Sequence, residues 1–294
     1  MTARPSGLTR WRQHRPSLSN LVALGVLALS LAAMLLPVWA MATLSLLPHW
    51  PPEVNNATNP LAAILWPHAS TLEHYAQLLH QTALVWATVN SVLVTVLTVL
   101  VHVPIAALAG YAFARFQFPG KTLAFWLVLA TLMIPPQINI IPLFVGMKHL
   151  GWMNRYEALV IPGWFGAFGV FLMRQWFLSL PRELEEAAAL DGCSPWATFW
   201  RIAFPMATPA VVSLSVFVVI GTWNSFLWPL VVTHDPSMAT LPVAIATLKG
   251  SFRDVMEWPL MMAAVTLSVI PPLGLFVWAQ RFLIRGILAG GVKE

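Results

Sequence analysis

Four carboxylates within a short stretch form the densest set of side chains that could act as acids, bases or charged anchors. They are Glu183, Glu185, Glu186 and Asp191. A membrane-embedded enzyme, such as a lipid-head-group transferase, would need histidines or metal-binding spacing beside such groups. No histidine lies near this cluster. The cluster therefore favours a binding role over catalysis.

The remaining motifs do not indicate a metal site, a disulfide bond or a nucleotide-binding site. Cys193 is the only cysteine, and the 8 histidines include no H-x-x-x-H pair. Gly120-Lys121-Thr122 resembles the end of a phosphate-binding loop, but Arg115 stands where that loop needs its first glycine. We therefore expect no metal, cofactor or ATP to be bound by this chain, so that any energy input would have to come from a partner.

The composition predicts an all-α membrane protein. Hydrophobic residues make up 58% of the chain and charged residues 9%, whereas charged residues are about a quarter of soluble domains. The apolar residues form continuous blocks, each long enough for a helix that crosses a bilayer. The six predicted spans are approximately residues 21–47, 84–109, 122–145, 158–177, 207–232 and 258–280.

The first block has two possible interpretations. Ala40-Met41-Ala42 resembles a signal-peptidase site, and basic residues precede the block. The apolar stretch is longer than the core of a signal peptide, which is about 7–15 residues. A retained first helix is therefore favoured over a cleaved signal.

Lysine and arginine placement predicts the orientation, because cytoplasmic loops of membrane proteins are enriched in these residues. One side holds Arg4, Arg10, Arg12, Arg15, Arg115, Lys121, Arg174, Arg182, Arg201, Arg281, Arg285 and Lys293. The other side holds Lys148, Arg155, Lys249 and Arg253. Both termini are expected in the cytoplasm, with a basic tail over 1–20, a six-helix transmembrane bundle over 21–280 and a tail over 281–294. The net charge of +5 is a topology signal, and no nucleic-acid partner is predicted.

The carboxylate cluster belongs to a loop, residues 179–205, that is predicted to fold as a helix pair. Pro181 suits the first turn of a helix, where carboxylates are favoured, and Gly192 can adopt the left-handed conformation that ends one. Ser194-Pro195 then restarts a helix that Pro205 closes. Its apolar positions, expected to pack against the bundle, are Trp196, Phe199, Trp200 and Ala203.

Three further patterns predict local structure in other parts of the chain. Ser70-Thr71-Leu72-Glu73 predicts a capping box, with Ser70 capping a short helix that leads into the second span. His102 is expected to make a polar contact inside the bundle rather than to bind a ligand. Gly163, Gly166 and Gly169 indicate close helix packing.

The third span ends in Pro135-Pro136-Gln137-Ile138-Asn139, which cannot continue a regular helix. Irregular backbone at membrane depth occurs beside a water-filled cavity or inside protein, which would make Gln137 and Asn139 pathway residues. A simple cap at the membrane surface is the equally weighted alternative.

Several stretches resemble permease subunits of ABC importers, in particular the carbohydrate branch and its maltose-type second permease. The E-A-A…G…I…P loop of that family matches Glu186, Ala187, Ala188, Asp191, Gly192, Ile202 and Pro205. Residues 110–121, Trp223-Asn224 with the residues up to Leu230, and the tail 280–293 are also similar to that branch.

The resemblance implies a type I importer architecture and four kinds of partner in a bacterial or archaeal plasma membrane. These are a homologous second permease, two ATPase subunits that use ATP and Mg, an extracytoplasmic solute-binding protein and the lipid bilayer. It also implies ATPase contacts for the matched loop and for Arg285, Gly286 and Gly290, and places Trp223 and Asn224 near the path or the second permease. The implied substrate is a sugar, oligosaccharide or polyol phosphate. Rival interpretations are an ABC permease for another solute and a stand-alone carrier, which would show inverted repeats and buried ionisable groups.

Overall fold

Helices account for every regular element in the computed structural model, which describes residues 18–48, 70–251 and 258–291. The helices are α1 (Leu18–Leu44), α2 (Glu73–His80), α3 (Thr82–Arg115), α4 (Lys121–Thr131), α5 (Ile140–His149), α6 (Tyr156–Val160), α7 (Ala167–Ser179), α8 (Glu183–Leu190), α9 (Pro195–Thr198), α10 (Phe204–Met206), α11 (Thr208–Trp223), α12 (Leu227–Val232), α13 (Leu241–Ser251) and α14 (Trp258–Gly291). The predicted all-α fold is confirmed. Residues 1–17 of the basic tail lie outside the described residues, as do the side chains of Arg285, Gly286 and Gly290.

Four helical segments are apolar and long enough to cross a membrane: Ser19–Leu44, Ala83–Arg115, Tyr156–Ser179 and Trp258–Arg281. Two further pairs pass the same test but are bent at a short break. Lys121–Thr131 meets Pro136–His149 at 91°, and Pro195–Met206 meets Thr208–Trp223 at 76°. The described chain therefore has four candidate spans, and six when each bent pair counts as one.

Several local predictions are wrong. The third, fourth and fifth blocks are not single helices: α4 ends at Thr131 before α5 begins at Ile140, α6 ends at Val160 before α7 begins at Ala167, and α11 ends at Trp223 before α12 begins at Leu227. The capping box does not form, because α2 begins at Glu73 itself and the Glu73 amide donates to Thr71 Oγ1 at 3.1 Å. A capping box needs its glutamate at the third helical position, from which the side chain reaches back to the amide of the N-cap residue. Glu73 is the first residue of α2, so it cannot make that bond.

The centre of the bundle is the contact of α3 with α7, where small residues let the two backbones approach closely. His102 on α3 is buried, and its Nδ1 lies 2.8 Å from the carbonyl oxygen of Gly163. A Cβ added at Gly166 or Gly169 would come within 2.6 Å or 2.8 Å of the His102 ring. The glycines thus provide the space for a buried polar contact, as the sequence indicated.

Gly110→Ala is expected to destabilise the bundle. A Cβ at Gly110 would lie 2.7 Å from the backbone nitrogen of Arg174, which cannot move without shifting α7. Overpacking of this kind costs about 1–3 kcal/mol, and it should lower the thermal midpoint of the purified protein in detergent. Gly146→Ala on α5 is the matched control, because nothing lies within 4 Å of its added Cβ. An equal midpoint for both variants would contradict the packing described.

Candidate functional site

The loop 179–205 contains a helix with well-defined ends. Helix α8 carries Glu183, Glu185 and Glu186 in its first turn, where the helix dipole favours negative charge. Gly192 follows the helix with φ +78°. The Cys193 amide donates to Ala188 O at 2.9 Å and the Gly192 amide donates to Ala189 O at 3.0 Å. These two bonds form the Schellman arrangement, which satisfies carbonyls at the end of α8 and fixes the turn.

A second helix begins directly after the turn at Gly192. Ser194 Oγ accepts from the Ala197 amide at 3.2 Å, and Pro195 occupies the first turn of α9. A π-helical segment, Phe199–Ala203, then joins α9 to α10, whose first turn contains Pro205. Both caps that the sequence predicted are present. The π-helical segment was not predicted.

The exposed surface of the loop carries both acidic and apolar side chains. Glu186, Ala187, Asp191 and Gly192 are exposed, and Leu190 is 90% exposed. Ala188 is buried, so the side of α8 that faces the bundle is its small-residue side.

The apolar seam predicted for the second helix is only half correct. Phe199 and Ala203 are buried, whereas Trp196 is 62% and Trp200 36% exposed. The wider turn of the π-helical segment changes the angular spacing of the side chains, so a seam deduced from a 3.6-residue period does not stay on one face. Ile202 is half-buried and Pro205 is exposed.

An ion pair that the sequence did not predict connects the loop to the bundle. Arg115, the last residue of α3, donates from Nε to Glu185 Oε1 at 2.8 Å and from Nη2 to Leu180 O at 2.8 Å. The Arg115 side chain is 5% exposed and that of Glu185 20% exposed. The sequence contains one indication of this ion pair. An arginine ends a long apolar helix, and a carboxylate-rich loop is predicted at the same membrane surface.

Gly192→Val should weaken the binding of any protein that docks on α8. Valine at positive φ costs about 1–2 kcal/mol, and the open space around Gly192 excludes a steric clash as the cause. Asparagine tolerates this conformation better, so Gly192→Asn is expected to retain most of the binding. Copurification of the bound protein with each variant measures the effect. Equal retention by Gly192→Val and the unmodified chain would contradict a role for the turn.

A cavity of about 540 Å³ lies beside three interruptions of the helices. Its wall includes residues from the 3-10 segments Pro136–Asn139 and Ile161–Trp164 and from the break between α11 and α12. Gln137, Asn139 and Asn224 all line it. The predicted pathway amides therefore share one cavity, although they come from distant parts of the chain.

Trp223, the fourth predicted pathway residue, does not line this cavity. Its side chain is 5% exposed, packs among apolar residues between α2, α11 and α14, and donates from Nε1 to Ser268 O at 3.0 Å. It thereby fixes the end of α11 next to the break that contains Asn224.

A buried hydrogen-bond network holds the cavity wall near residues 237–241. Asn90 on α3 donates from Nδ2 to Ser237 O at 2.8 Å and to Ala239 O at 3.0 Å, and accepts from Tyr156 Oη at 2.6 Å. The neighbouring Ser91 Oγ accepts from the Leu241 amide at 2.7 Å. These bonds position the wall. Within the described part of the chain, no three His, Cys, Asp or Glu side chains are placed to hold a metal ion.

Residues 102–288 match the family of binding-protein-dependent transport system inner membrane components. The chain belongs to this family. The prediction of a membrane permease subunit, rather than an enzyme with its own ATP site, is confirmed. ATP hydrolysis in such systems belongs to other subunits.

Relatives of this permease include transport proteins for polyhydroxylated solutes. It is 32% identical over 283 residues to the arabinooligosaccharides transport system permease protein AraQ of Halalkalibacterium halodurans, covering 96% of this chain and 99% of AraQ. It is 36% identical over 186 residues to the sn-glycerol-3-phosphate transport system permease protein UgpE of Yersinia enterocolitica, covering 63% and 66% of the two chains.

The fold matches a solved importer. A chain of a bacterial ABC transporter for the acidic polysaccharide alginate superimposes with a TM-score of 0.79, covering 93% of this permease and 99% of that chain at 20% identity. A chain from the alginate transporter bound to its pentasaccharide-loaded periplasmic protein gives a TM-score of 0.62 at 16% identity. The predicted importer-permease architecture is therefore confirmed at the level of fold.

Proposed function

We propose that this permease forms half of the translocation pathway of an ATP-driven importer for a sugar, oligosaccharide or polyol phosphate. Its loop 179–205 docks a separate ATPase subunit, which binds the ATP and Mg. The observation that carries the proposal is the capped, exposed helix α8, joined to the cavity-lining helix α3 by Arg115 and Glu185.

The outward face of α8 has the properties of a protein interface. Leu190 is 90% exposed and Leu184 40% exposed, next to the exposed carboxylates of Glu186 and Asp191. Exposed apolar side chains rimmed by charged groups mark contact sites. With both termini in the cytoplasm, this face points away from the membrane and toward a soluble partner. The first-turn carboxylates make the tip suitable for a partner that offers basic groups.

Helix α3 supplies a direct mechanical connection from the docking loop to the cavity. Its last residue, Arg115, binds both Glu185 on α8 and the Leu180 carbonyl before it. The same helix contributes Ser91, Val94 and Thr98 to the cavity wall. Movement of α8 by the ATPase would therefore displace α3 and reshape the cavity, because both ends belong to one continuous helix.

The solute is proposed to pass the cavity amides. Gln137, Asn139 and Asn224 offer both hydrogen-bond donors and acceptors, which match the hydroxyl groups of sugars and polyols. Trp223 supports this wall from behind. Arabino-oligosaccharides and glycerol phosphate, the solutes named for the two relatives, share this hydroxyl-rich chemistry.

The remaining parts of the complex follow from the family. A homologous second permease would complete the pathway, an extracytoplasmic solute-binding protein would deliver the solute, and two ATPase subunits would bind inside. Arg285, Gly286 and Gly290 of the C-terminal tail would add a second ATPase contact. The lipid bilayer of a bacterial or archaeal plasma membrane would surround the bundle.

Copurification tests the proposal. The tagged chain is extracted from its native host in mild detergent, copurifying proteins are identified, and ATP hydrolysis is measured with and without candidate sugars. We expect a second permease, an ATPase and sugar-stimulated hydrolysis. A chain that purifies without any ATPase would overturn the proposed function.

A further inference from the structure

The polar side chains on the cavity wall are all hydroxyls and amides. They are Ser91, Thr98, Gln137, Asn139, Thr222, Asn224, Ser225 and Thr240. The other lining residues are apolar or aromatic, so none of the described lining side chains carries a charge. The next titratable residue along α3, His102, does not line the cavity, and its ring contacts the carbonyl oxygen of Gly163.

The polar groups that a solute in the cavity could reach belong to the accessible lining residues. Gln137, Asn139 and Asn224 are exposed and Thr222 and Ser225 are half-buried, whereas Thr98 and Thr240 are buried. An amide both donates and accepts hydrogen bonds, which suits a solute that brings its own hydroxyl groups.

An aromatic ring is fixed on the same wall. Trp228 Nε1 donates to Ala158 O at 2.8 Å, so its indole is held in one orientation beside the cavity. A fixed aromatic face offers an apolar contact surface, and the C–H face of a sugar ring is an apolar surface of suitable shape. Hydroxyls, amides and one oriented ring together match a neutral carbohydrate.

An anionic solute would find no compensating charge on this wall. A charged group at membrane depth requires a partner of opposite charge. Helix α12 begins at the cavity, but a helix N-terminus carries only about half a positive charge, whereas a phosphate ester carries about −1.5 to −2 at neutral pH. Building on the proposed import function, we propose that this subunit selects uncharged carbohydrates and excludes phosphorylated polyols and uronic-acid oligomers.

The selectivity is tested on the complete importer, with its second permease, ATPases and binding protein in proteoliposomes. ATP hydrolysis and uptake are measured with a neutral arabino-oligosaccharide series and neutral hexose oligosaccharides, and in parallel with sn-glycerol 3-phosphate and mannuronate oligomers. Stimulation by a neutral sugar alone is the expected result. Stimulation by an anionic solute would overturn this inference and leave the proposed function intact. No stimulation by any of them would overturn the carbohydrate function itself.

A matched pair of variants tests the wall directly. Gln137→Ala removes an exposed amide from the wall and should raise the half-saturating sugar concentration about fivefold, the effect of one lost hydrogen bond. Gln77→Ala is the control, because Gln77 on α2 is also exposed but does not line the cavity. Equal half-saturating concentrations for the two variants would contradict solute binding at this wall.

Discussion

Glu186→Lys is expected to abolish solute-stimulated ATP hydrolysis and uptake while leaving the bundle folded. Glu186 is exposed in the first turn of α8, so reversing its charge removes a favourable interaction with the helix dipole and opposes basic groups on the docked ATPase. A central interface residue contributes about 2 kcal/mol or more, which corresponds to about a thirtyfold loss of affinity. Reconstituted complexes, assayed for both activities, measure the effect.

Glu157→Lys is the matched control for this charge reversal. Glu157 is also exposed, but it lies on α6, away from the loop 179–205. The control should retain coupling and should migrate normally on size exclusion. If Glu186→Lys retained normal stimulation by solute, α8 would not be the docking element.

Arg115→Ala is expected to uncouple the ATPase from the cavity. The variant would remove both bonds that join α3 to the loop and would leave Glu185 without its partner. A hydrogen bond to a charged group contributes about 1.5–3 kcal/mol, so the connection should become flexible although the ATPase still binds α8. We predict that ATP hydrolysis persists at a basal rate and that solute no longer stimulates it.

A double-mutant cycle separates this ion pair from general destabilisation. Glu185→Ala should resemble Arg115→Ala, and the combination should cause less loss than the sum of the two, because the second change removes a group that the first has already left unpaired. Strictly additive losses of stimulation would show that Arg115 and Glu185 do not act together.

The docking loop was predictable because its determinants are local. Gly192 and Ser194 each act on backbone within a few residues of themselves, and the structure shows the left-handed glycine and the serine cap that these residue types favour. The predicted first-turn position of Pro181 is wrong, because α8 begins at Glu183 and Pro181 precedes its N-cap residue, Arg182. The failed capping box at Ser70 shows the limit of such patterns. Neighbouring Thr71 competes for the same role, and the start of α2 decides between them.

The cavity and the coupling ion pair were less predictable because they depend on contacts between distant residues. Gln137 and Asn224 were individually identified, but only the folded bundle brings them to one wall. Trp223, next to Asn224, instead packs in an apolar cluster and donates to Ser268 O, because the last residue of α11 and the residue that follows it point in different directions. The Arg115–Glu185 pair spans 70 residues of sequence, with several possible partners for each charge.

Site-specific cross-linking tests the central claim most directly. Cys193 is the only cysteine, so Cys193→Ser gives a cysteine-free chain in which Leu190→Cys places one exposed thiol at the tip of α8. Treatment of native membranes with a short thiol-directed photo-cross-linker should join this position to an ATPase subunit, and Glu157→Cys in the same background should not. Cross-linking at position 190 to lipid or to other permease subunits alone would contradict the account.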